Sequence, residues 1–168
     1  ILQLTTNNLS VSGTFTNSAG TFDANGLTTT VTGLTTVSAG EYQAKTATQT
    51  FNGGLTISGG TFTGSSGAVD VNGTLTVSSG TLTAPSGTFT VSGNWSKTGG
   101  TFTPGSNTVT FDATDTDNTL TLGSASFYNL EFNGYGGLWT LKDTLDVDNN
   151  LTITNGTLAA GSYAINIG

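Results

Sequence analysis

A chain of 168 residues with a charged fraction of 8%, three Lys against ten carboxylates, and no Arg, His or Cys lacks the usual nucleophile and base pairs and the zinc and iron–sulfur ligand sets. Its net charge of −7 leaves little to neutralise phosphates, which argues against nucleic acid and anionic membrane surfaces as partners. No apolar run approaches a membrane span, and Ile1 does not look like a signal-peptide start, so the chain reads as a processed or excerpted non-enzyme.

The first residues already obey a period of twenty. Leu2, Phe22 and Tyr42 lead into Phe62, Leu82 and Phe102, while Leu9 and Val11 stand above Val69 and Val71, and Phe15 above Leu55. Two glycine columns keep the same beat, Gly13, Gly33, Gly53, Gly73 and Gly93, then Gly20, Gly40, Gly60, Gly80 and Gly100. A strict repeat of this length marks a stack of structural units.

From Gly53 to Phe111 the columns align without a gap: Leu55, Leu75 and Trp95; Phe62, Leu82 and Phe102; Val69, Phe89 and Val109; Val71, Val91 and Phe111. Each row reads as three short strands of alternating apolar and polar residues, for example Leu55–Ile57, Thr61–Thr63 and Val69–Val71, separated by Gly, Ser and Asn. Asn-Gly pairs such as Asn52-Gly53 also suit hairpins, so an antiparallel sandwich or barrel has to be weighed. The recurrence of like residues in every row favours in-register parallel stacking instead. The expected fold is all-β: a parallel, right-handed, three-sided β-helix (β-solenoid) with about 20 residues per coil and roughly eight coils.

Two places disturb the pattern. Thr29 and Gln49 occupy the column of Val69 and Phe89, which predicts local irregularity there. Lys97 falls in the column of Val37, Ile57 and Val77, so either that strand turns outward or the lysine lies at a corner.

After Phe111 the period loosens, and residues 112–150 read as enlarged, irregular coils. Residues 151–168 then return to the motif: Leu151, Ile153, Gly156, Leu158, Ile165 and Ile167 match Leu55, Ile57, Gly60, Phe62, Val69 and Val71. The expectation is one domain over 1–168. Neither end carries a polar cap, which predicts continuation in a longer polypeptide or end-to-end docking of another copy.

The rows Gly93–Phe111, Phe127–Phe132 and Leu151–Leu158 resemble the Thr- and Gly-rich strand repeats of bacterial cell-surface and secreted proteins, similar in architecture to adhesins and autotransporter passengers. The resemblance implies a stalk, fibre, filament or adhesin outside the cell or on its surface, with stiffness drawn from the stacked coils. It covers nearly the whole chain and is specific for the repeat type, not for an activity. A glycan- or surface-binding adhesion module is the alternative.

Candidate sites are few. Asp112, Asp115, Asp117 and Asn118, followed by Asp143, Asp146 and Asp148, place oxygen ligands at spacings that could hold calcium, although not in an EF-hand pattern; a solvated acidic loop that keeps the surface soluble is the favoured reading. Thr61, Thr63, Thr81, Thr83, Thr101 and Thr103 form a double ladder, with Thr88, Thr90, Thr108 and Thr110 beside it, and such a plane resembles the surface of ice-binding proteins; Glu41 and Gln43 break it. Trp139 and Tyr135 could stack on sugar rings, whereas Trp95 shares the core column of Leu55 and Leu75. A lyase reading has only Lys142 beside Asp143 to offer. Five glycosylation sequons, at Asn8, Asn72, Asn94, Asn150 and Asn155, are expected by chance in so Thr-rich a chain.

Overall fold

A computed structural model describes residues 1–168 as a single β-solenoid without a helix. Every strand pairing is parallel, and the pairings sort into three faces. Face one stacks Leu9, Thr29, Gln49, Val69, Phe89, Val109, Leu130 and Leu151 directly over one another, which counts eight coils. Face two stacks Phe15, Thr35, Leu55, Leu75, Trp95, Leu120 and Leu141. On face three Leu2, Phe22, Tyr42, Phe62, Leu82 and Phe102 are paired, and Phe127, Val147 and Ile167 continue the file below. Between Phe102 and Phe127 the ladder is interrupted, but their rings still approach to 5.6 Å.

Alternation explains the faces. In strands such as Val69–Val71 the outer two side chains are buried and the middle one meets solvent, so β-branched and aromatic residues fill the interior while Thr, Ser and Asp line the outside. The corners depend on close backbone approach. A Cβ on Gly93 would stand 2.6 Å from the carbonyl carbon of Gly73, and one on Gly40, whose φ is +70°, would stand 2.1 Å from the carbonyl oxygen of Gly20. Close backbone approach excludes a side chain at Gly33, Gly53 and Gly93 of the first column, and in the second Gly20, Gly40, Gly80 and Gly100 take the left-handed angle that glycine alone adopts freely.

The core is one continuous cluster running the length of the stack. Leu55, Leu75, Trp95, Phe62, Leu82, Val71, Val91 and Phe111 are completely buried, and Phe102 nearly so. Aromatic rings pile along the axis: Tyr42 stacks on Phe62 at 5.1 Å, and Trp95 meets Phe102 edge-on at 4.9 Å.

Two expectations require correction. Thr29 and Gln49 do not disturb the register; their strands pair in step with those above and below, and both side chains are fully buried. Gln49 is tolerated because its amide donates to the carbonyls of Leu27 and Ala47 and its oxygen accepts from Tyr42. Lys97 neither turns outward nor sits at a corner. It pairs with Val77, is 7% exposed, and donates from Nζ to the carbonyl of Gly123 at 2.9 Å.

The irregular segment obeys a compensation rule. From face one to face two the chain takes four residues in the regular coil, Val91 to Trp95, but nine from Phe111 to Leu120. From face three to face one it takes seven, Phe102 to Val109, but only three from Phe127 to Leu130. Five residues gained and four lost change the perimeter by one, so Leu130 still lies under Val109, twenty-one residues on. This shift corrects the alignment of the last rows. Leu151 and Ile153 lie in the files of Val69 and Val71 on face one, not in those of Leu55 and Ile57, and Ile165 and Ile167 continue face three.

Candidate functional site

The outer surface is organised by the same register as the core. Thr61, Thr81 and Thr101 are Cα partners, as are Thr63, Thr83 and Thr103, so the double ladder anticipated on face three is a regular grid. Its rungs are about 4.8 Å apart along the axis and its rails about 7 Å apart along the strand. The grid ends at Glu41, whose carboxylate accepts hydrogen bonds from Thr63 and from Gln43. On face one the corresponding file runs Thr30, Thr50, Asp70, Thr90, Thr110, and Asp70 interrupts it, accepting from Thr90 at 2.9 Å.

Sequence reasoning missed the longest hydroxyl file. On face two Thr16, Thr36, Thr56, Thr76, Ser96 and Thr121 stack in order, with no charged residue among them. The signal was present in the twenty-residue rows, but it was hidden because Thr35 beside Thr36 is also a threonine and faces inward.

The acidic residues are dispersed into separate hydrogen bonds. Asp112 accepts from Ser92, Asp115 from Asn118, Asp146 from Asn166, and Asp148 from Ser126. Asp112, Asp115 and Asp117 lie in the insertion at the corner between faces one and two, and no three carboxylates of the chain converge. Asn118 points inward and is buried, holding the loop by bonds to the Asp115 and Leu138 carbonyls.

The aromatic pair is divided. Trp139 is fully buried with its ring 5.0 Å from Phe132, whereas Tyr135 is 86% exposed between Gly134 and Gly136, where the register of the strand Ser126–Leu141 shifts. They do not form a stacking platform, a correction that follows from which of Leu138 and Trp139 the alternation turns inward. Lys142 and Asp143 are likewise separated by role: Lys142 is exposed, while the Asp143 carboxylate receives the backbone amides of Leu122 and Gly123, each at 2.8 Å. Of the sequons, Asn8, Asn72, Asn150 and Asn155 are exposed, and Asn94 accepts from the backbone and hydroxyl of Thr119.

Two groups have shifted acidity. Burial raises the phenol of Tyr42 far above its usual range. The amide of Gln3, donating at 2.7 Å, holds the Asp23 carboxylate below its ordinary value, with smaller help from the Asn25 backbone and Lys45. Tyr42 lies inside the core, whereas Asp23 lines an open surface depression with Asn25, Gly26, Lys45 and Thr46.

No family model matches the chain, and no curated protein or solved structure matches it either.

Proposed function

We propose that this chain is a structural segment of an extracellular bacterial fibre, filament or adhesin stalk, whose task is to hold length and resist bending. The observation that carries the reading is the pairing on face one, where eight strands stack without a break and each coil is bonded to the next along the axis. Such a stack lengthens by repetition, and its stiffness comes from main-chain bonds and a continuous core. The scarcity of ion pairs, with Lys45 and Asp23 at 3.9 Å the one bridge, suits surroundings where salt varies. The resemblance of the rows to bacterial surface repeats supports placement outside the cell.

Single-molecule stretching tests the mechanical reading. The expected trace is a high-force rupture with stepwise release of coils; smooth extension at low force overturns it.

A second reading, contact with an ordered surface such as ice, is favoured by the in-register Thr grid on face three. It predicts thermal hysteresis that Thr81→Lys removes. Hysteresis no greater than that of an equal concentration of an unrelated protein dismisses it.

A further inference from the structure

The three faces carry nearly interchangeable strands. Leu151-Thr-Ile153 matches Leu55-Thr-Ile57 in sequence yet pairs on a different face, so the apolar pattern alone does not say which face of one coil lies under which face of the next. A rotation by one face would still stack every coil and bury every apolar file, so the hydrophobic effect discriminates against it weakly. In the first hundred residues the glycine corners discriminate, since a side chain at Gly40 or Gly93 would meet backbone. Both glycine columns stop at Gly93 and Gly100.

Lys97 stands at this seam. Across it the step on face two is twenty-five residues, Trp95 to Leu120, instead of twenty. Lys97 points inward and donates to the Gly123 carbonyl at 2.9 Å. Gly123 and Ser124 have φ of +52° and +62°, and the amides of Leu122 and Gly123 at this turn donate to Asp143. A cation of one coil and an anion two coils below thus bind the two ends of one glycine in the coil between.

We infer that Lys97, Gly123 and Asp143 form a register lock, which sets the rotational position of the irregular coils on the regular ones. In a coil turned by one face, Lys97 has no carbonyl at Gly123 to meet and stays buried as an unpaired ammonium. Buried polar groups that select one register among near-equal packings have this energetic logic.

Cysteine pairs test the lock, because the chain has no Cys of its own. Thr110→Cys with Glu131→Cys joins Cα partners of the native register, while Ser96→Cys with Glu131→Cys joins only when face one of the lower coil turns under face two. Each pair is refolded from denaturant under oxidising conditions, with Lys97 intact and with Lys97→Met, which keeps the length of the stem. With Lys97 the native pair closes and the second stays open. With Lys97→Met the second pair is expected to close about tenfold more often, the ratio that one unsatisfied buried polar group is worth. No increase overturns the lock. Should Lys97→Met fail to fold, Asp143→Asn decides: more crosslink from Ser96→Cys with Glu131→Cys supports the lock, and an unchanged amount overturns it.

Discussion

The phenol of Tyr42 donates a 2.7 Å hydrogen bond to Oε1 of Gln49, inside a core where neither side chain meets water. Gln49 gives the Tyr42 hydroxyl its acceptor, and Tyr42 gives the Gln49 oxygen its donor. Gln49→Leu alone leaves the Tyr42 hydroxyl unsatisfied and is expected to lower stability by about 1–3 kcal/mol, whereas Tyr42→Phe with Gln49→Leu recovers the part due to that hydroxyl, the Leu27 and Ala47 carbonyls losing their Gln49 donor in both. Urea unfolding of the two single variants and the double variant reads the coupling directly. Equal losses from Gln49→Leu and from the double variant refute it.

The same tyrosine makes the fold sensitive to alkali. Burial raises its pKa, so in the folded chain the phenol stays neutral where an unfolded tyrosine, with a pKa of about 10, already ionises. The unfolded state then gives up a proton that the folded state keeps. Stability is full below about pH 10 and falls as pH rises beyond it. Melting temperatures between pH 8 and 11.5 are expected to fall less steeply in Tyr42→Phe than in the parent. Ultraviolet titration should show one of the four tyrosines ionising only on unfolding.

Acid acts on the other end of the scale, through Asp23. Its carboxylate is held below the ordinary value by Gln3 first, so it contributes stability above the unfolded pKa that is lost as pH falls through the folded one. Gln3→Ala is expected to move the Asp23 titration upward, as followed by NMR of the carboxyl carbon, and to fray the first coil at a higher pH than in the parent. An unmoved titration means the Gln3 contact is absent in solution.

Two glycines with similar backbone angles should respond differently to alanine. Gly80 has φ of +73° and a Cβ there would stand 2.1 Å from the Gly60 carbonyl oxygen, whereas Gly105 has φ of +62° and open space. Gly105→Ala meets only the left-handed penalty of about 1–2 kcal/mol. Gly80→Ala adds a backbone clash and is expected to cost more than about 3 kcal/mol. Equal losses from the two would show that the coils are not in such close contact.

Trp139 and Tyr135 provide the last contrast. Trp139→Ala empties a fully buried site and is expected to cost about 3–5 kcal/mol, while Tyr135→Ala, at an 86% exposed position, changes stability by less than about 0.5 kcal/mol. Thermal melts of the two variants suffice.

Much of this molecule is written in its rows. Leu55 over Leu75 over Trp95, Phe62 over Leu82 over Phe102, and the Thr grid between Thr61 and Thr103 could be read from spacing, since parallel stacking turns a period in sequence directly into a line in space. Gln49 and Lys97 were legible as exceptions, but their resolution was not, because each is satisfied by a carbonyl more than twenty residues away, Leu27 and Gly123. Trp139 and Leu138 carried the same difficulty in miniature: one of two neighbouring apolar residues had to turn in, and the pairing of Asn118 with Trp139 chose it.

The sequence by itself determined the coil, its length, its glycine corners and the identity of its files, because a strand shows its two faces in alternating residues and a stack repeats them. Only the tertiary structure decided how the irregular coils continue the regular ones. Five residues inserted at one corner and four removed at another leave the perimeter almost unchanged, and a local pattern holds no record of which corner took up the difference.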